Sequence, residues 1–218
     1  MALRRDLLGE LRRRVLATAL EASRLGLVTM TSGNFSACDA NSGLVAITPT
    51  GRPYSSMGAE DIVLVSLDGS VAEGRLPPSS ETPLHLDVYA ARADIRGIAH
   101  VHSVCANAVG VLGLAVPPIV GTLWKYVGGD LRTAAFKESG TAEYARHALQ
   151  VMGDQRAVIM ANHGLLAIGE TVEQALAAAA YAEEGARIYL LARQLGQPTT
   201  HPRPNPSDMY APDWWADE

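Results

Sequence analysis

His100 and His102 sit two residues apart in the apolar run GIAHVHSV. If that run is a β-strand, residues i and i+2 point to one face, so both imidazoles look the same way. Such a pair either packs as hydrogen-bonded core histidines or shares a divalent cation, which neutral imidazole nitrogens bind well. A third histidine, His163, stands in MANHGLLA, at a tight turn that Gly164 permits between two apolar runs. Together His100, His102 and His163 have the composition of a catalytic zinc set, with a fourth position open to water or substrate.

A second group of residues suits an anion. In PPSSETP, Ser79, Ser80 and Glu81 stand at an expected helix start, with Ser80 as N-cap and Pro83 in the first turn. Free backbone N–H groups and two hydroxyls there favour an oxyanion. The turns Ser32-Gly33-Asn34 and Thr50-Gly51 offer further donors. Each of these is, by itself, also an ordinary cap or turn. His85 falls four residues after Glu81, on the same helix face, and reads as a packing or supporting residue. His147 falls on a polar helix and His201 in the tail.

The elements that must carry these residues follow from periodicity. Leu3, Leu7, Leu8, Leu11 and Val15 recur at helical spacing, which predicts an amphipathic helix ending near Gly26. Short β-like runs follow in TSGNFSAC and SGLVAITPTG, then a hairpin turning at Asp68-Gly69. A helix follows PPSSETP, RGIAHVHSV is a strand and CANAVGVLG a helix. VPPIVGTLWKYVGGD is irregular, and GTAEYARHALQVMGD is a helix. RAVIMANHGLLAIG is a strand pair around His163, followed by a long helix from TVEQ and an irregular tail after Pro198. The pattern predicts one α/β domain over residues 1–218, with 198–218 as the tail, and a mixed sheet with helices on its faces.

Composition excludes several classes. A chain of 218 residues is long enough to bury one sizeable core. It is 48% hydrophobic and 19% charged, the profile of a globular protein rather than a disordered one. Its net charge is −5, with no basic stripe, so nucleic acid is not expected as a partner. No run approaches the 18 apolar residues of a membrane span, and the N-terminus lacks a signal peptide's unbroken apolar stretch. Cys38 and Cys105 form no CxxC pair and read as buried free thiols, so the expected location is the cytoplasm.

The segments TSGNFS, TPTG, PSSETPLH, AHVHS and NHGLLA, in that order between Thr31 and Ala167, resemble the class II aldolases of the fuculose-phosphate aldolase and ribulose-phosphate epimerase type. The resemblance implies a three-layer α/β/α domain with a central mixed, largely antiparallel sheet. It implies zinc, or another divalent transition metal, on His100, His102 and His163, with Glu81 as acid/base and as a further ligand when no substrate is bound. It implies that Gly33, Asn34, Thr50, Gly51, Ser79 and Ser80 hold a substrate phosphate. It also implies a fourfold-symmetric homotetramer with active sites at subunit interfaces. The family's interface tyrosine falls at Gly121 by position, with Trp124 or Tyr126 as the aromatic alternatives; Tyr210 matches a second tyrosine, in the tail. The implied reaction is cleavage of a ketose 1-phosphate, such as L-fuculose 1-phosphate, to dihydroxyacetone phosphate and an aldehyde through a metal-stabilised enediolate. A sugar-acid phosphate decarboxylase, an L-ribulose-5-phosphate 4-epimerase or a methylthioribulose-phosphate dehydratase would use the same site. Epimerases tend to carry Asp where this chain has Glu81, whereas the following TPLH is epimerase-like. A metal-free binding module, as in actin-binding relatives, would lack the histidine set or the Glu, and all four residues are present.

Overall fold

Strands that alternate apolar and small residues on both faces need helices on both sides, and the chain supplies them. The computed structural model describes residues 2–205. Eight strands form one sheet: β1 (Asn34–Asp39), β2 (Leu44–Ile47), β3 (Val63–Ser66), β4 (Val71–Glu73), β5 (Gly97–Val101), β6 (Arg132–Ala134), β7 (Ala157–Met160) and β8 (Gly164–Gly169). Their order is β4-β3-β2-β1-β5-β8-β7-β6. Neighbours are antiparallel except β6 and β7, which run parallel. The sheet is therefore mixed and largely antiparallel, as expected.

The α-helices are α1 (Ala2–Arg24), α2 (Thr82–Ala91), α3 (Val104–Val111), α4 (Ala142–Met152) and α5 (Val172–Leu195). Strand residues divide by parity. Phe35, Ala99, Val101, Ile159, Leu165 and Ala167 join one buried cluster with residues of α1, α3 and α5. Val45, Ile98, Val158, Leu166 and Ile168 join a second with residues of α2 and α4. Helices on both faces of one sheet make the three layers. No helix among the described residues is long and apolar enough to cross a membrane.

Four local expectations change. Helix α2 begins at Thr82 with Glu81, not Ser80, at its cap position. The reason is Ser79: its carbonyl accepts from Thr82 N and Oγ1, and its hydroxyl accepts from Glu81 N at 3.2 Å. Strand β5 ends at Val101, so His102 lies just beyond it, with its N–H donated to Leu27 O at 3.1 Å instead of to the ladder. The segment expected to be irregular contains a π-helical turn at Leu123–Val127, closed by Gly128 at φ 100°. Cys38 and Cys105 are free, as expected, but half-buried rather than buried.

Candidate active site

The register of the central strands brings the chemistry together. His100 pairs with Asn34 on β1 and with Leu166 on β8, so all three face the α2 side of the sheet. His163 sits in the β7–β8 turn, where Asn162 takes φ 58° and His163 N donates to Met160 O at 3.1 Å. Gly164 follows because nothing larger fits: a Cβ there would lie 2.6 Å from Val101 O and 2.8 Å from His100 Cε1. Gly33 is constrained twice, by φ 75° and by a Cβ position 2.6 Å from His100 O. Glu81 arrives from the start of α2.

One ligand atom from each of Glu81, His100, His102 and His163 lies within 4.8 Å of the others. His100 Nε2 is 3.1 Å from Glu81 Oε2, and His163 Nε2 is 3.1 Å from Glu81 Oε1. His100 Nε2 is also 3.1 Å from both His102 Nε2 and His163 Nε2. The donor set fits a divalent cation. His100 Nδ1 is 3.1 Å from Leu165 O, an acceptor only, so Nδ1 carries the proton and Nε2 is left bare to coordinate. Three imidazole nitrogens and a carboxylate oxygen suit zinc and other borderline metals.

Electrostatics follow from the crowding. Burial opposes charge on Glu81, but His100 and His163 beside it and the hydrogen bond from Asn34 outweigh burial and hold the carboxyl far below its usual range. Burial, and then His100 and His163, push His102 down to about 4. Burial, with His100 adding, pushes His85 down to about 3, so it is neutral.

A cavity of about 280 Å³ opens over the cluster. Its lining includes Glu81, His102 and His163, together with Gly33, Asn34, Thr50, Gly51, Ser79 and Ser80. An isolated bridge between Pro49 and Pro78 holds the Thr50 and Ser79 segments side by side. Tyr54 braces the third turn by donating its hydroxyl to Gly33 O at 2.6 Å. The described lining contains no Lys or Arg, so an anion there meets neutral N–H and O–H donors. A larger groove of about 790 Å³ between α1 and α5 has no such cluster; its Arg14 is paired with Glu173 at 2.6 Å.

Not every candidate comes to the cavity. Tyr126 stacks on Tyr181, with ring centroids 4.0 Å apart, and does not line it. Trp124 donates Nε1 to His201 O at 3.2 Å, and Gly121 faces the His201 ring. Tyr210 lies outside the described residues. His147 is half-buried, with Nε2 unpartnered.

Three residues emerge that residue typing did not single out. Ser139 donates to Glu81 Oε1 at 3.3 Å from the loop before α4. The Tyr144 ring lies 5.6 Å from that of His163. Glu183 on α5 accepts from the N–H groups of Cys105 and Ala106 at 2.9 and 2.8 Å, just after His102. A Ser in a loop, a Tyr or a Glu on a helix carries no signal of its own.

The comparisons agree with this architecture. The chain is 37% identical over 196 residues to a 5-deoxy-D-ribulose 1-phosphate aldolase of Bacillus thuringiensis serovar kurstaki, covering 90% of this chain and 92% of that protein. It is 34% identical over 212 residues to an L-ribulose-5-phosphate 4-epimerase of Salmonella paratyphi B, covering 92% and 91%. The structure superposes on an L-fuculose 1-phosphate aldolase with a TM-score of 0.84 and 32% identity, covering 92% of each chain. An L-fuculose-1-phosphate aldolase from Thermus thermophilus gives a TM-score of 0.75 and 27% identity, covering 87% of this chain and 98% of that one. The family model for the class II aldolase and adducin N-terminal domain matches residues 13–190. By fold, by relatives and by that match, the chain belongs to the class II aldolase and adducin N-terminal domain family.

Proposed function

We propose that the protein is a metal-dependent aldolase that cleaves a ketose 1-phosphate of the L-fuculose 1-phosphate class into dihydroxyacetone phosphate and an aldehyde. The observation that carries this reading is the meeting of one carboxylate and three imidazole nitrogens beside a cavity lined by neutral anion donors. In this reading His100, His102 and His163 hold the metal, zinc by its ligand set, with Glu81 as a fourth ligand in the resting site. When bound, the cation supplies a Lewis acid where negative charge grows on the substrate's C2 oxygen.

The chain's own residues do the rest. Donors from the 33–34, 50–51 and 79–80 segments bind the phosphate and orient the C3–C4 bond. Breaking that bond leaves its electron pair on C3 and turns the C4 hydroxyl into an aldehyde oxygen. Glu81, turned from the histidines to the substrate, moves the proton at C3, which completes dihydroxyacetone phosphate. The proton of the C4 hydroxyl passes to the phenolate oxygen of Tyr210 in the tail, or of Tyr126 of a neighbouring subunit in a fourfold assembly. Glu81 takes up one proton from solvent as it leaves the histidines, so the proton lost at C4 balances the one given to C3.

The test is a panel of ketose 1-phosphates with metal-loaded protein, with dihydroxyacetone phosphate followed by coupled reduction. Metal-dependent release is expected, and Glu81→Gln should lose about 10²- to 10⁴-fold in kcat. Full turnover after chelation, or in that variant, would sink the reading. The similarity to a 4-epimerase supports a second reading, in which the same bond breaks and re-forms with inversion. L-Ribulose 5-phosphate converted to its C4 epimer, with no aldehyde released, would select it.

A further inference from the structure

Glu81 takes a hydrogen bond from an amide that other residues orient. A carboxylate only accepts, so Asn34 must present Nδ2 to it; that contact, to Oε2, is 2.8 Å. Asn34 Oδ1 then faces His85 Nε2 at 2.6 Å. A carbonyl oxygen also only accepts, so His85 carries its proton on Nε2. The bare Nδ1 lies 2.6 Å from Ser36 Oγ, so the serine hydroxyl donates to it. With its one hydrogen committed, Ser36 Oγ accepts from the Tyr89 hydroxyl at 2.8 Å. Each hydrogen thus has one direction, from Tyr89 to Ser36, His85, Asn34 and Glu81.

The folding pattern builds this line. Asn34 and Ser36 are two apart on β1 and share a face; Glu81 at the cap of α2 and His85 and Tyr89 within it are four apart and form one stripe. Packing that stripe on that face closes every link. Ser36 and His85 are fully buried, and Asn34 and Tyr89 are 5% and 7% exposed, so water has little access to the line.

We propose that His85, Ser36 and Tyr89 are positioning residues: a one-way hydrogen-bond chain that locks the Asn34 amide with its N–H toward the acid–base carboxylate. Reversed, the amide would set its oxygen against Glu81 and push the carboxylate out of place. The inference rests on the reading of Glu81 as the acid–base group.

Two experiments test it on the metal-loaded enzyme. NMR of protein with ¹⁵N-labelled histidine should show His85 neutral, with its proton on Nε2; a proton on Nδ1 overturns the chain without any variant having to fold. In kinetics, His85→Leu should lower kcat about 10- to 100-fold with a much smaller change in KM. His85→Gln, which restores an N–H for Asn34 Oδ1, should recover most of that loss. Equal losses in the two variants, or a loss confined to KM, overturn the positioning role. Glu81→Gln is run in parallel: full turnover there removes the acid–base reading and the proposal with it. A large loss there, beside indifferent His85 variants, removes the positioning role alone.

Discussion

Gly164 and two adjacent serines show how narrowly single residues are constrained. A methyl group at position 164 would press on the Val101 carbonyl and on the rings of His100 and His102. Gly164→Ala should therefore lower stability by about 1–3 kcal/mol and weaken metal retention, read by thermal unfolding and metal competition. Gly196→Ala, where nothing lies within 4 Å, is the control and should stay within about 0.5 kcal/mol. Ser79 and Ser80 both line the cavity, but their hydroxyls differ. Buried Ser79 Oγ already accepts from Glu81 N, so Ser79→Ala should lose about 1 kcal/mol of stability and displace Glu81, lowering kcat. Ser80 is exposed to the cavity, and Ser80→Ala should raise KM for the phosphorylated ketose with kcat nearly unchanged.

At the scale of elements, the site depends on where helices begin. Helix α3 starts two residues after His102, and the side chain of its N-cap, Ser103, makes no capping bond. Glu183 supplies that bond from α5, with one side-chain oxygen for each of two N–H groups. Glu183→Ala should lose about 1.5–3 kcal/mol of stability and, by loosening the turn that carries His102, about 10- to 100-fold in metal affinity. Thr171→Ala removes a cap of another helix, α5, and should lose about 1 kcal/mol with metal affinity intact. Equal metal affinity in the two variants would separate Glu183 from the site.

For the whole molecule, burying neutral histidines between layers links folding to pH. Burial pushes the His85 imidazole down to about 3, against about 6.5 when exposed. Folding therefore favours the neutral form: its contribution is complete above pH ~6.5 and is lost as pH falls toward 3. For His85 alone the slope approaches about 1.4 kcal/mol per pH unit within that window. His102, at about 4, acts in the same direction in metal-free protein. Chelated protein should thus unfold at lower temperature at pH 5 than at pH 7, and His85→Leu should flatten the dependence; a flat wild-type profile would contradict the linkage. Added metal should raise the unfolding temperature at pH 7, because it binds the folded arrangement.

Residue type marked His100, His102, His163 and the turn residues as candidates, and their order along the chain, through the resemblance to the class II aldolases, singled out Glu81 and grouped the six turn residues that line the cavity. Few side chains coordinate metals or present bare N–H groups, and the chain places them beside glycines and prolines that mark turns. Periodicity likewise sufficed for the α-helices and most strands, since alternation by two and by 3.6 is a local property, but not for β6 or the π-helical turn at Leu123–Val127, which are too short to show a period. What only the tertiary structure decided is which side chains meet. Ser139 reaches Glu81 across 58 residues, and Glu183 reaches the start of α3 across 78. Tyr126 stacks on Tyr181 of α5, 55 residues further along, a contact that nothing in its own Gly/Pro-rich segment announces. The reason is that position along a chain sets backbone conformation over a few residues. Hydrogen-bond partners are set by strand order and by the face a helix lays down, and those exist only once the sheet has assembled.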